Sequence, residues 1–159
     1  MQIRKIQPQD NLQVKQVVYN VMTSFDCVGD GFSISDPELD DMYAAYNNDK
    51  SVFYVISEGD RVLGCGGIGP LVGGDPLVCE LKKMYFYPEL REKGYGRKLM
   101  ELCLADAKAM GYSKCYLETV ERMTRANNLY NKFGFQKLSC QEGATGHGGC
   151  DTFYEKELI

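Results

Sequence analysis

The chain has 159 residues, 44% hydrophobic and 25% charged, with a formal net charge of −4 and a pI near 5.1. That is enough for one domain, 1–159, with its own core, and the acidic balance excludes a general nucleic-acid binder, which needs a basic face. No apolar run reaches a membrane span, the start MQIRKIQPQD lacks a signal-peptide core, and seven cysteines without a CxxC pair fit a reducing compartment, the cytoplasm, better than a disulfide framework.

In chain order, Gln2 to Gln7 alternates Ile3 and Ile6 with polar residues and reads as a short strand ended by Pro8. From Asn11 to Phe25, Leu12, Val14, Val17, Val18, Val21, Met22 and Phe25 recur at helical spacing behind Asp10 as N-cap. Ser35 or Asp36 is expected to cap a second, shorter helix with Pro37 at its first position and Met42, Tyr43 and Tyr46 inward. Ser51–Ser57 and Arg61–Leu71 read as strands joined by the turn Glu58-Gly59-Asp60.

The stretch from Cys79 to Gly111 carries the strongest signal. A strand over Val78–Tyr87 ends at Pro88, and a short loop holds Arg91, Lys93, Gly94 and Gly96. A helical pattern then runs from Arg97 to Met110 and stops at Gly111. Such a loop delivers backbone N–H groups and the positive end of a helix to one point, an anion site suited to phosphate. Arg91, Lys93, Arg97 and Lys98, with Lys82 and Lys83 near in sequence, supply basic character. Beyond it come a strand at Lys114–Glu118, a helix at Thr124–Lys132 with Gly134 as its C′ residue, and strands at Phe135–Cys140 and Asp151–Leu158. This order predicts a mixed sheet with helices on its faces, an α/β or α+β fold.

Gly64-Cys-Gly-Gly-Ile-Gly69 matches the dinucleotide pattern GxGxxG, but no helix follows, since Pro70, Gly73, Gly74 and Pro76 come next. A glycine-narrowed strand that lets another element pass close is the better reading. A His147-x-x-Cys150 pair lacks the second cluster that a metal site of about four ligands requires, so no metal is expected.

Arg91-x-x-Gly94-x-Gly96, together with Asn127 and Tyr130 on one helix face before Gly134-Phe135, resembles the GCN5-related N-acetyltransferase (GNAT) superfamily. In that family, Arg or Gln, two residues, Gly, one residue, and Gly or Ala join strand 4 to helix 3 and cradle the coenzyme A pyrophosphate. The run Met84-Tyr85-Phe86-Tyr87-Pro88 looks like the end of its strand 4. The resemblance implies a largely antiparallel sheet with strands 4 and 5 splayed by a bulge. It implies acetyl-CoA as cofactor and a small-molecule or peptide amine as acceptor, with no nucleic acid or membrane partner. A homodimer through the final strands fits the family analogy.

The resemblance also assigns residues. The amides of Arg91, Glu92, Lys93, Gly94, Tyr95 and Gly96, with Arg97, would bind the pyrophosphate. Met84, Tyr85 and Phe86 would pair with the pantetheine amides, and Asn127 would contact the cofactor. Tyr130 matches the general acid at the leaving sulfur; a phenol with a pKa of about 10 stays protonated at neutral pH and can donate. An attacking amine with a pKa of about 10.4 must first lose a proton, and Glu80 stands where some members carry the base, with Glu118 as rival. Glu118, Thr119 and His147 are expected at the acceptor side, His147 on a Gly-rich loop. The acidic run Asp30, Asp36, Glu38, Asp40, Asp41 reads as a solvated face. A non-catalytic acyl-CoA sensor or scaffold is the alternative.

Overall fold

A computed structural model describes residues 1–159. The elements are β1 (Gln2–Lys5), α1 (Asn11–Ser24), α2 (Met42–Tyr46), β2 (Val52–Glu58), β3 (Arg61–Pro70), β4 (Val78–Phe86), α3 (Tyr95–Ala109), β5 (Lys114–Thr119), α4 (Thr124–Lys132), β6 (Gln136–Leu138) and β7 (Thr152–Glu157). The predicted order of strands and helices is the observed one. The strands form one seven-stranded sheet in the order β1-β2-β3-β4-β5-β7-β6. Only β4 and β5 run parallel, because α3 carries the chain back across one face between them.

Two cores sandwich the sheet. Leu99, Met100, Cys103 and Ala107 of α3, with Tyr130 of α4, pack on Ile56, Leu63, Leu81 and Leu117 on one face. Val14, Val17, Val18 and Val21 of α1, with Met42 and Tyr46 of α2, pack on Phe53, Val55 and Cys65 on the other. The glycine run of β3 is a strand, not a nucleotide turn. A Cβ on Gly67 would lie 2.2 Å from the Val52 carbonyl oxygen, and one on Gly64 would lie 2.5 Å from the Phe86 ring.

Several boundaries differ from expectation. The second helix starts at Met42, not Pro37, because Pro37–Asp40 forms a 3-10 turn first and the Asp41 carboxylate caps the helix by accepting from Ala44 N–H at 3.0 Å. Asp10 does not cap α1 through its side chain. It is buried and takes the Arg4 guanidinium at 2.7 and 2.9 Å. The helix α3 begins at Tyr95, two residues before the predicted start, so Gly96 lies inside its first turn.

Two features position the site. Pairing between β4 and β5 covers only Val78↔Lys114, Cys79↔Cys115 and Glu80↔Tyr116. Past Glu80 the two strands diverge, so the β5-facing edge of Leu81–Phe86 has no strand partner. On its other side β4 carries a bulge: Cys65 pairs with Tyr85 and Gly67 with Lys82, leaving Lys83 and Met84 opposite Gly66 alone. Lys83 has a φ of 52°. Lys82 shares the face of Glu80 by the strand's own alternation; the bulge adds Lys83 to that face and puts Met84 and Phe86 on the α3 face.

Candidate active site

The mouth of the splay is the loop into α3. Gly94 takes a φ of 82°, a left-handed conformation that L side chains rarely adopt, and turns the chain into the helix. None of the amides from Glu92 to Arg97 donates to a backbone acceptor; the first to do so is Lys98, to the Gly94 carbonyl at 3.1 Å. Six consecutive N–H groups without a backbone acceptor at a helix N-terminus are suited to an anion. Gly96 keeps the first turn close to its neighbours, since a Cβ there would sit 3.3 Å from Leu129 and 3.5 Å from the Phe86 ring.

The side chains of this loop mostly do other work. Arg91 folds back and donates twice to the Phe86 carbonyl, at 2.9 and 3.1 Å, tying the loop to the end of β4. Arg97 is exposed and pairs with Glu101, and Glu92 pairs with Arg125. Lys82 and Lys83, counted as basic neighbours of this loop in the sequence, are not part of it. They point instead to the carboxylates of Glu38, Glu80 and Asp36, Lys83 because of the bulge.

Tyr130 is buried against Tyr154 and Phe135, with ring centroids at 5.7 and 6.0 Å. Burial raises its phenol pKa well above the ordinary value, with Tyr154 adding to the effect, so the proton is held firmly. The amide of Asn127 is spent within the chain. Its NH₂ donates to the carbonyls of Met123, Val120 and Glu121 at 2.9, 3.1 and 3.3 Å, and its oxygen accepts from the Tyr154 hydroxyl at 2.9 Å. Asn127 thus orients the start of α4 and the ring beside Tyr130.

Behind the splay lies a charged cluster that the sequence did not foretell as a unit. Glu80 is 3% exposed, and its nearest cation is Lys82 Nζ at 3.8 Å. Burial lifts its pKa to about 7, against the opposing pull of Lys82. Glu118 is held by the Tyr116 hydroxyl and Thr145 hydroxyl, both at 2.6 Å, and by His147 Nδ1 at 3.4 Å. Burial works to raise its pKa, but these partners outweigh it and the pKa falls below the ordinary value. His147 Nε2 meets Asp36 at 2.9 Å. Burial lowers the imidazole pKa, yet hydrogen bonds to Asp36 and Glu118 carry it up to about 9, so the ring is protonated at neutral pH.

Asp36 and Glu38 are not a solvated face. Lys83, its side chain 1% exposed, reaches them at 2.6 and 2.9 Å, and the Tyr46 hydroxyl donates to Glu38 at 2.6 Å. The solvated reading holds for Asp40, which lies at the surface with Lys15. Thr119 turns away from the cluster, its hydroxyl on Met123 Sδ at 3.7 Å. Tyr85 is half-buried against the core on the α1 side, with its hydroxyl 3.3 Å from Ser33 Oγ.

His147 belongs to a loop that covers Glu80. Besides His147 to Asp36 and Thr145 to Glu118, the Glu142 amide donates to the Tyr116 hydroxyl at 2.9 Å and the Gly149 amide to the Gly31 carbonyl at 3.0 Å. Glu80, Glu118 and His147 do bring three metal-capable atoms within 4.8 Å of one another, a cluster invisible to sequence spacing. Both ring nitrogens face carboxylates and Lys82 stands beside Glu80, the arrangement of an ion-pair network.

The fold, a seven-stranded mixed sheet with one parallel pair, is shared with acetyltransferases of known structure. The model of the Acetyltransferase (GNAT) family matches residues 19–135, and the chain belongs to that family. YjgM of Escherichia coli (strain K12), described as an uncharacterized N-acetyltransferase, is 36% identical over 157 residues, covering 98% of this chain and 94% of its own. A GNAT-family acetyltransferase from Staphylococcus aureus Mu50 shares the fold with a TM-score of 0.85 at 19% identity, over 99% of both chains. So does yncA of Salmonella typhimurium, solved with its cofactor acetyl-CoA, with a TM-score of 0.77 at 19% identity over 100% of this chain and 94% of that one.

Proposed function

We propose that this chain is an N-acetyltransferase that moves an acetyl group from acetyl-CoA to a primary amine by direct attack within a ternary complex. The observation that carries the reading is the row of six acceptor-free amides, Glu92 to Arg97, at the mouth of the splay. They fit a diphosphate, with Arg91 fixing the loop's position through the Phe86 carbonyl. The unpaired edge of β4 past Glu80 offers backbone groups at Met84–Phe86 to the amides of a pantetheine arm, as an added strand would. Acetyl-CoA supplies the electrophilic thioester carbonyl and a thiol leaving group.

The chain's own residues manage the protons. Glu80, with a pKa near 7, takes one proton from the acceptor ammonium, leaving a neutral amine to attack. Tyr130 holds its proton at neutral pH and gives it to the departing sulfur as the C–S bond breaks and the C–N bond forms. The second amine proton leaves to solvent as the amide forms, and Tyr130 regains one from solvent. No covalent enzyme intermediate is needed. Seven free thiols, five of them buried, agree with a reducing compartment.

The test is acetyl-CoA-dependent thiol release across classes of amine, with acetyl-CoA and NAD binding measured in parallel. Acetyl-CoA binding with amine-dependent thiol release is the expected result. Binding without release by any amine would leave a sensor or scaffold, and preference for NAD would refute the site assignment.

A further inference from the structure

The charged cluster behind the splay has an uneven internal balance. Three of its carboxylates and two of its cations satisfy one another or nearby hydroxyls. Asp36 holds Lys83 and His147, Glu38 holds Lys83 and Tyr46, and Glu118 holds Tyr116, Thr145 and His147. Two charges remain. Glu80 is 3% exposed and receives no hydrogen bond from the chain. Lys82, its side chain 15% exposed, has three donors and no acceptor within hydrogen-bond reach; its nearest are Glu80 at 3.8 Å and Glu38 at 3.9 Å.

The two groups of this long pair are of opposite sign and two residues apart on one face of β4, and Glu80 lies within 4.8 Å of His147 on the loop. A buried carboxylate calls for donors, and a partly exposed ammonium without a hydrogen-bonded acceptor is free to take one. A plain alkyl amine answers Glu80 alone and brings a like charge toward Lys82. An acceptor with a carboxylate close to its nitrogen answers both. The covering loop, fastened at Thr145, His147 and Gly149, favours a small enclosed molecule over a polypeptide.

We infer that the acceptor is a small zwitterion of the α-amino-acid class, its nitrogen on Glu80 and its carboxylate on Lys82, which makes Lys82 the specificity-determining residue. This rests on the acetyl-transfer reading above and adds the acceptor's chemistry to it.

The experiment compares matched triplets: an α-amino acid, its primary amide and its decarboxylated amine, for apolar, polar and charged side chains. Thiol release from acetyl-CoA gives kcat/KM for each. The acid should exceed its amide and its amine by about tenfold or more, the scale of one charge-assisted contact. Lys82→Gln should bring that ratio to within about twofold of unity, and Lys82→Arg should retain most of it. Thermal melting and acetyl-CoA affinity confirm that each variant is folded and loaded.

A wild-type ratio at or below one, with amines still acetylated, overturns the zwitterion and leaves the acetyltransferase standing. So does a ratio that Lys82→Gln leaves intact. Bound acetyl-CoA with no release from any triplet refutes the transfer reading and the acceptor assignment with it.

Discussion

Replacing Glu80 by Gln should make the protein slower and more stable at once. The carboxyl has a pKa of about 7 in the folded chain against an ordinary 4.5, a displacement worth about 3 kcal/mol. Its folded pKa is raised, so between 4.5 and 7 the folded state binds more protons than the unfolded one and stability falls as pH rises. The loss is absent below 4.5 and complete above 7, with about 2.5 kcal/mol of it falling between pH 5 and pH 8. The amide of the variant cannot ionise and escapes that loss. Urea unfolding of both proteins at pH 5 and pH 8 measures the effect. Glu80→Gln should gain about 2.5 kcal/mol on the wild type over that interval, while acetyl transfer falls by about 10²-fold or more. A stability difference independent of pH, or a variant that loses ground on going to pH 8, would refute the account of Glu80 as a carboxylate charged against its surroundings.

Four further outcomes follow from the same geometry. The pH profile of kcat/KM should rise on the acid side and bend near pH 7 as Glu80 ionises, and the bend should vanish in Glu80→Gln. Tyr130→Phe should slow turnover by about 10²-fold while acetyl-CoA affinity, measured by calorimetry, stays within about twofold. Gly94→Ala puts a side chain at a φ of 82°, which should cost about 1 kcal/mol in thermal unfolding and weaken acetyl-CoA binding several-fold. His147→Gln should destabilise at pH 6 by up to about 3 kcal/mol and by little above pH 9, because a raised imidazole pKa of about 9 stabilises most below its ordinary 6.5 and is lost as pH rises through 9.

The sequence made the fold legible because its strongest signals are local. The glycine-bearing connection from β4 into α3, and Gly134 closing α4, depend on spacing alone; both are present, with α3 starting two residues early at Tyr95. The glycine run at 64–69 was separable from a nucleotide turn for the same reason: no helix follows it.

What stayed hidden needed the third dimension. One extra residue in β4 reverses the side to which Lys83 points, turning an apparent phosphate-loop neighbour into the buried partner of Asp36 and Glu38. The link from His147 to Asp36 spans 111 residues, and that from Lys83 to Asp36 spans 47. No periodicity announces either. Asn127 was legible as part of a motif but not as a residue whose amide is already satisfied at the start of α4.

The central claim is that free amides at the head of α3 and the unpaired edge of β4 together hold acetyl-CoA. Amide chemical-shift perturbation in ¹⁵N-labelled protein titrated with acetyl-CoA tests it directly. The largest shifts should fall on Glu92 to Arg97 and on Met84 to Phe86, with dephosphorylated pantetheine moving only the second group. Saturable binding that leaves both groups unmoved, or shifts centred on Gly64–Gly69 instead, would contradict it.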